Sequence, residues 1–239
     1  MADKSPLFQR RTAGVLLHPT SLPCSESFWG DEQKNRFGTL GKDAYYFIDL
    51  IHKAGLTIWQ MLPTGPTQMD MSPYQSISAH AGNPELISLD WLIEKGWANT
   101  RDLHVEGERN IVRTRQLCAS SFYQFIETPE GEQTRYNFQT FCSQQHYWLD
   151  DFSLFCALRK QYSDSSWINW PAQLRKREPA AIEKTRIELK ADIDIIVFEQ
   201  FAFFSQWHGL KDYANQKGIY LFGDMPIFVG HDSADVWAQ

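Results

Sequence analysis

The side chains best placed for chemistry in this sequence are polar groups that directly follow short apolar runs. Asp224 comes just after the run Ile219 to Phe222, which follows a helix-like segment and is interpreted as a buried core strand. In parallel α/β proteins, the carboxyl ends of the strands are where ligands bind and catalytic groups lie. A carboxylate at this position predicts ligand binding or catalysis. The alternative is an aspartate that only caps the next turn or pairs with a neighbouring cation.

Two other apolar runs end in polar loops in the same way. The run GVLLHPTSLP, residues 14–23, passes from a valine and two leucines into His18. The run IWQMLPTGPT, residues 58–67, passes into a loop broken by proline and glycine, which continues into SPYQSISAHAGNP, residues 72–84. Three strand ends with polar loops that open in the same direction predict one active face.

Aromatic residues make up 14% of the chain, and nine of them are tryptophans. Such rings can stack on the apolar CH face of a sugar. Tyr74 is the strongest candidate for this role, because the proline before it restricts the backbone that aims the ring. Trp29 and Trp59 lie in or beside the strand-end loops and are further candidates. The rings that share helical spacing are assigned to the core instead: Phe201, Phe204 and Trp207.

The elements around these loops predict an α/β fold. The segment DAYYFIDLIHKAG, residues 43–55, has apolar residues at helical spacing and Gly55 at the position of a C-cap, so it completes a right-handed parallel βαβ unit. We expect residues 1–84 to hold the first two strands and their loops, and residues 85–190 to form a mainly helical insertion between strands 2 and 3. Residues 191–239 then supply a long helix and the third strand.

The number of strands is small for a closed barrel. A (β/α)₈ barrel takes about 250 residues, whereas this chain of 239 residues offers about three barrel-type strands because the helical stretch uses much of its length. We therefore expect the N-terminal part of a TIM barrel whose C-terminal part is missing. A three-stranded parallel sheet with open edges and an uncovered face is expected to be poorly stable alone.

Composition excludes several classes of function. The net charge is −6 and the sequence has no stripe rich in lysine and arginine, so nucleic acid and anionic membranes are not expected as partners. No apolar run approaches the ~20 residues that span a bilayer. The four cysteines form no CxxC pair and have no histidines at zinc-ligand spacing, so we expect no structural metal and a reduced, cytoplasmic protein.

Four strings of the sequence, taken together, resemble the amylomaltase family, the 4-alpha-glucanotransferases also called disproportionating enzymes. They are HPTSLP (18–23), WQMLPTGPT (59–67), SPYQSISAHAGNP (72–84) and GDMPIFVGHDSADVW (223–237). Each string alone is a weak signal, but SPYQ, AGNP and GDMPIFV in this order are highly specific. The resemblance covers nearly the whole chain, and the helical middle is its least diagnostic part.

The resemblance implies a TIM barrel with helical insertions that transfers α-1,4-glucan segments between maltooligosaccharides, without a cofactor or a metal. The implied mechanism is that of retaining glycosidases, in which one carboxylate attacks the anomeric carbon and a second acts as acid and then base. By the same resemblance, Tyr74 packs on the sugar at the reacting subsite and Ser72 contacts the substrate. Asp224 binds and orients the reacting glucose.

The chain also departs from the family pattern. Residues 24–38 replace a compact Gly-Ile-Gly-Asp segment of many members, and His231 lies in a segment that varies. The family's nucleophilic aspartate and its two later carboxylates have no counterpart, so no catalytic residue is assigned and they are expected downstream. Asp232 and Asp235 are expected to cap and solvate a helix start. Two alternatives remain open: a non-catalytic α-glucan-binding protein and an amylase-like hydrolase.

Overall fold

The computed structural model of the chain describes residues 11–26, 37–68, 70–103, 111–225 and 227–239. Within these ranges the chain forms three strands and nine α-helices. The strands are β1 (Gly14–Leu16), β2 (Ile58–Gln60) and β3 (Tyr220–Phe222). The helices are α1 (Lys42–Lys53), α2 (Leu89–Glu94), α3 (Thr100–Leu103), α4 (Ile111–Phe125), α5 (Glu132–Gln161), α6 (Ala172–Arg175), α7 (Pro179–Glu188), α8 (Lys190–Gln216) and α9 (Ala234–Ala238).

The three strands form one parallel sheet in the order β1-β2-β3. Val15 pairs with Trp59, and Trp59 pairs with Leu221, so these three residues lie side by side across the sheet. The predicted α/β class and the three parallel strands are confirmed. Because parallel strands present their carboxyl ends at one edge, the loops after β1, β2 and β3 all leave from the same edge.

The connection between β1 and β2 runs through α1, as the spacing of its apolar residues predicts. Ala44, Ile48 and Ile51 are buried on one face of this helix. Gly55 follows the end of the helix with φ of +77°, a left-handed conformation that glycine adopts without steric cost. The turn at Gly55 then directs the chain back into β2.

The two faces of the sheet differ, and this corrects the expectation that residues 219–222 form a fully buried strand. Trp59 is fully buried and packs edge-on against Phe47 of α1. On the opposite face Leu16 is 56% exposed and Phe222 is 50% exposed. Alternate residues of a strand point to opposite faces, and the helices of the described chain cover only one of them.

The helical part shares its core with the sheet. One buried cluster contains Trp59 of β2, Ile48 of α1, Phe122 of α4 and Phe198 of α8. The predicted boundaries at residues 84 and 190, and the status of residues 85–190 as an insertion, stay predictions. No helix in the described ranges combines the length and apolar character needed to cross a bilayer.

Helices α5 and α8 run antiparallel. Lys160 near the end of α5 contacts Asp192 near the start of α8 at 2.6 Å, and Phe141 of α5 packs on Phe204 further along α8. The long helix α8 thereby contacts the sheet, α4 and α5 together. It is the element that joins the strands to the helical part.

Two buried glutamines of α8 hold the stretch of chain that follows β2. The side chain of Gln200 accepts from the Gly82 backbone N–H at 2.8 Å and donates to the Gly82 carbonyl at 3.0 Å. Gln206 pairs in the same way with Ser88, at 2.8 and 3.1 Å. Each amide satisfies two buried backbone groups that have no strand partner, as buried backbone groups require. These contacts fix the AGNP segment against α8.

Candidate ligand-binding site

The loops that follow the strands meet around Asp224. The Tyr74 hydroxyl donates a hydrogen bond to Asp224 Oδ2 at 2.8 Å, although 150 residues separate the two in the sequence. Asp224 follows β3, and Tyr74 lies in the loop that follows β2. The two strongest candidates from the sequence are thus brought into direct contact at the carboxyl edge of the sheet.

A tight turn presents the Tyr74 ring. The backbone N–H of Gln75 donates to the carbonyl of Ser72 at 3.0 Å, so the turn closes around Pro73 and Tyr74. The ring remains 50% exposed. The hydrogen bond to the Asp224 carboxylate raises the pKa of the Tyr74 phenol. The phenol is therefore protonated at neutral pH and acts as a donor to the carboxylate.

A small cavity of about 180 Å³ lies beside this pair. The loop after β2 lines it with Pro63 to Gly65, with Ser76 and with Ser78 to Ala81. Helix α8 adds Phe203, Phe204 and Trp207, and Asp224 and Met225 complete the lining. Asp224 is the single carboxylate among these lining residues. The remaining polar groups, including Ser76, Ser78 and His80, carry hydroxyls and an imidazole. This lining suits a neutral ligand rich in hydroxyl groups.

His18, at the end of β1, ties the first loop to the second. The backbone N–H of Thr20 lies 3.3 Å from Nδ1, and the Thr20 hydroxyl lies 2.7 Å from the same atom. Nδ1 is thus the acceptor, and Nε2–H donates to the carbonyl of Pro63 at 3.3 Å. Burial lowers the pKa of His18. The neutral imidazole is therefore the form that holds the loops after β1 and β2 together.

The other described candidates, Ser72 and Trp59, lie outside the cavity. Ser72 lies in the same turn as Tyr74, and its backbone N–H donates to Asp70 Oδ1 at 3.2 Å. Neither Ser72 nor Tyr74 lines the cavity itself. The expectation that Trp59 is a ligand contact is wrong. Its side chain is fully buried and its Nε1–H donates to the carbonyl of Leu17 at 2.7 Å. Trp29 lies outside the described residues.

Sequence reasoning missed several residues of the cavity, Phe204, Trp207 and His80 among them. Trp207 was assigned to the core from its helical spacing, yet it is only partly buried and lines the cavity from α8. His80 stacks on Trp148 with ring centroids 6.1 Å apart and also lines the cavity. Its place in the SPYQSISAHAGNP string was the available signal. The sequence pattern did not show that α8 packs against that loop, so that Trp207 and His80 line the same cavity.

Asp232 and Asp235 act as structural acceptors. Ser233 is the N-cap of α9, where its side chain accepts from the Val236 backbone N–H at 3.3 Å. Asp232 accepts from the Ser166 hydroxyl at 3.0 Å, and Asp235 accepts from the Ala79 backbone N–H at 2.9 Å. These contacts fasten α9 to neighbouring loops.

The ring of His231 stacks on Trp167 with centroids 5.4 Å apart, and the indole N–H of Trp167 donates to the His231 carbonyl at 2.9 Å. His231 does not line the cavity beside Asp224.

Comparison with known proteins identifies the family. The sequence profile of the 4-alpha-glucanotransferase family matches residues 17–239. The chain is 39% identical to the 4-alpha-glucanotransferase of Synechocystis sp., over 98% of this chain and 46% of that protein. It is 40% identical to the 4-alpha-glucanotransferase of Thermus thermophilus, over 96% of this chain and 45% of that protein.

Solved structures agree with the sequence matches. The amylomaltase from Streptococcus agalactiae, solved in complex with acarbose, superposes with a TM-score of 0.81 at 31% identity, over 96% of this chain and 46% of that one. The amylomaltase from Corynebacterium glutamicum has the same fold, with a TM-score of 0.66 at 17% identity. The chain spans about half the length of the curated relatives it matches. With a profile match from residue 17 to residue 239, the chain belongs to the 4-alpha-glucanotransferase family.

Proposed function

We propose that this chain carries the glucose-binding portion of a 4-alpha-glucanotransferase that transfers α-1,4-glucan segments between maltooligosaccharides by a retaining double displacement. Asp224 and Tyr74 hold the glucose residue at the reacting position, and Ser72 contributes a contact from the same turn. Family membership supports the class of reaction. The observation that carries the assignment of the site is the 2.8 Å hydrogen bond between Tyr74 and Asp224, beside a cavity whose single carboxylate is Asp224.

The chemistry of the pair suits a sugar. A carboxylate can accept up to about four hydrogen bonds, and Tyr74 uses one of them, so Asp224 can accept from further sugar hydroxyls. The half-exposed Tyr74 ring can cover the apolar CH face of the same pyranose. Because the phenol stays protonated beside Asp224, the negative charge of the pair remains on the carboxylate. That charge lies near the carbon at which positive charge develops in glycosyl transfer.

The same geometry argues against complete catalysis by this chain. A retaining mechanism needs two carboxyl groups about 5–5.5 Å apart across the reacting bond. Among the described residues that line the cavity, Asp224 is the single carboxylate. The proposal therefore assigns the nucleophile and the acid/base to a part of the enzyme outside this sequence, and it gives the 239-residue chain binding without turnover.

The architecture proposed for the enzyme is a TIM barrel in which residues 85–190 form the helical insertion. The exposed face of the sheet supports it, since Leu16, Tyr220 and Phe222 would face the interior of a closed barrel. We propose a cytoplasmic location as well. The four cysteines, all within the described ranges, form no disulfide, which fits a reducing compartment.

Binding and turnover of maltotriose test the proposal separately. The purified chain is expected to bind maltotriose, measured by the change in tryptophan fluorescence, and to release no glucose from it. Asp224→Asn and Tyr74→Ala should each weaken binding, because one removes the charged acceptor and the other removes the ring. Asp212→Asn, which changes an exposed aspartate of α8, is the matched control and should bind as the unchanged chain does.

Two results would contradict the proposal. Glucose release from maltotriose by the chain would show that its catalytic carboxylates lie within this sequence. Equal maltotriose binding by the Asp224→Asn variant and the unchanged chain would remove Asp224 from the sugar site.

A further inference from the structure

A second and larger cavity lies at the end of the α5–α8 pair. Its volume is about 590 Å³, compared with about 180 Å³ for the cavity beside Asp224. It falls within the range of about 300–1,000 Å³ that is usual for small-molecule sites. Residues of α5, α8 and the α2 region form its walls, and we call it the α5–α8 groove.

Aromatic rings form the apolar part of the groove. Trp97 stacks on Phe201 with ring centroids 5.0 Å apart, and Trp91 packs edge-on against Trp97 at 5.2 Å. Phe141 joins them from α5. Tyr136 stands at the rim and is 65% exposed. Trp97 and Phe201 are only 7% and 6% exposed and form the floor of the groove. The partly buried Trp91 and Phe141 and the exposed Tyr136 are the rings that can meet the apolar faces of linked sugar units.

Neutral polar side chains make up the rest of the lining. They are amides, hydroxyls and one imidazole: Thr134, Asn137, Thr140, Gln144, Gln145, Ser205 and His208. On α5 these residues recur every three or four positions, so one face of that helix points into the groove. Within the described chain, the side chains of Thr134, Thr140 and Gln144 make no hydrogen bond to another residue, so their donors and acceptors are available to a ligand.

The charge of the lining restricts the class of ligand. No carboxylate lines the groove, and its one cation, Lys95, lies over the ring of Trp91 at 5.4 Å. A cationic ligand would find no counter-charge here. An anionic group would meet a single ammonium and no guanidinium that could bind it in a bidentate manner. Rings combined with neutral amides and hydroxyls are instead complementary to an uncharged, polyhydroxylated chain.

We propose that the α5–α8 groove is a second carbohydrate-binding site that holds an uncharged oligosaccharide, separate from the position at Asp224. The existence of a site rests on the groove itself, whereas the choice of an α-1,4-glucan as its ligand rests on the proposed function. Phe204 lines both the groove and the cavity beside Asp224. The two cavities are therefore neighbours, and the groove can anchor a long glucan while its end lies near Tyr74.

Titration of the full 239-residue chain with maltohexaose, followed by the ¹⁵N-indole signals of its tryptophans, tests this proposal. Trp91 reports on the groove and Trp207 reports on the cavity beside Asp224. We expect both signals to shift. Tyr136→Ala and Gln144→Ala change exposed groove residues, so they should leave the fold intact and weaken the binding seen at Trp91 roughly fivefold or more.

Matched variants separate this proposal from the proposed function. Tyr46→Ala removes a tyrosine of α1 that is 68% exposed, and it should leave both responses unchanged. Tyr74→Ala should weaken the response at Trp207 and leave the response at Trp91. A shift at Trp207 without one at Trp91 overturns the second site and leaves the proposed function standing. A shift at Trp91 that survives both groove variants also overturns it, and no shift at either tryptophan overturns both proposals.

Discussion

Replacement of Gln200 by methionine tests how the loop at the candidate site is held in place. In the folded chain the Gln200 amide pairs with both the N–H and the carbonyl of Gly82, and all of these groups are buried. Methionine has a similar length but offers no equivalent donor or acceptor. The variant therefore leaves two backbone groups of Gly82 without partners in the interior.

The size of the effect follows from these two groups. Each buried backbone group that loses its partner costs about 1–3 kcal/mol. The apolar methionine side chain is easier to bury than the amide and offsets part of this, so we expect a net loss of about 3 kcal/mol in unfolding free energy. For a chain of this length each kcal/mol lowers Tm by roughly 2–4 °C, which gives a drop of roughly 6–12 °C.

Thermal unfolding followed by far-ultraviolet circular dichroism measures this drop. Gln216→Met, at an exposed position of the same helix, controls for the change in residue type and should leave Tm nearly unaltered. Gln206→Met removes the equivalent pair at Ser88 and should resemble Gln200→Met. A drop below about 2 °C for Gln200→Met would show that the two hydrogen bonds to Gly82 are dispensable.

Three further predictions concern a steric contact, a buried carboxyl and the Tyr74 phenol. A Cβ added at Gly82 would clash with the buried Phe203 ring, so Gly82→Ala should lower the urea midpoint, and an unchanged midpoint would contradict this packing. Burial raises the pKa of Glu199 from 4.5 to about 7. Because the folded state then binds more protons than the unfolded state between these values, stability should fall as the pH rises through that window. Glu199→Gln should make the urea midpoint depend less on pH within that window. Identical pH profiles for the variant and the unchanged chain would refute the raised pKa of Glu199. Asp224→Asn should bring the pKa of Tyr74 back towards its ordinary value in a ¹³C-tyrosine NMR titration, whereas an unchanged pKa would mean that Asp224 is not its cause.

The local pattern of the sequence was sufficient for the strands, for α1 and for placing Tyr74 and Asp224 at one edge of the sheet. Apolar spacing and Gly55 predicted α1, and the short apolar runs predicted three parallel strands. Polar residues at the ends of those runs predicted that Tyr74 and Asp224 share one edge of the sheet. These features depend on periodicity and backbone conformation over a few residues, and such information is present in the sequence itself.

Tertiary packing decided what the pattern could not. Trp59 became part of the core and Trp207 part of the cavity, because exposure depends on which helix covers which face of the sheet. The amide of Gln200 meets Gly82 across 118 positions of sequence, and no local rule connects two residues so far apart. Local patterns in the chain indicated which polar groups follow the strands and at which edge of the sheet they emerge. Which residues surround those groups depends on the packing of α8 against the loops, because burial and long-range hydrogen bonds are properties of the folded chain.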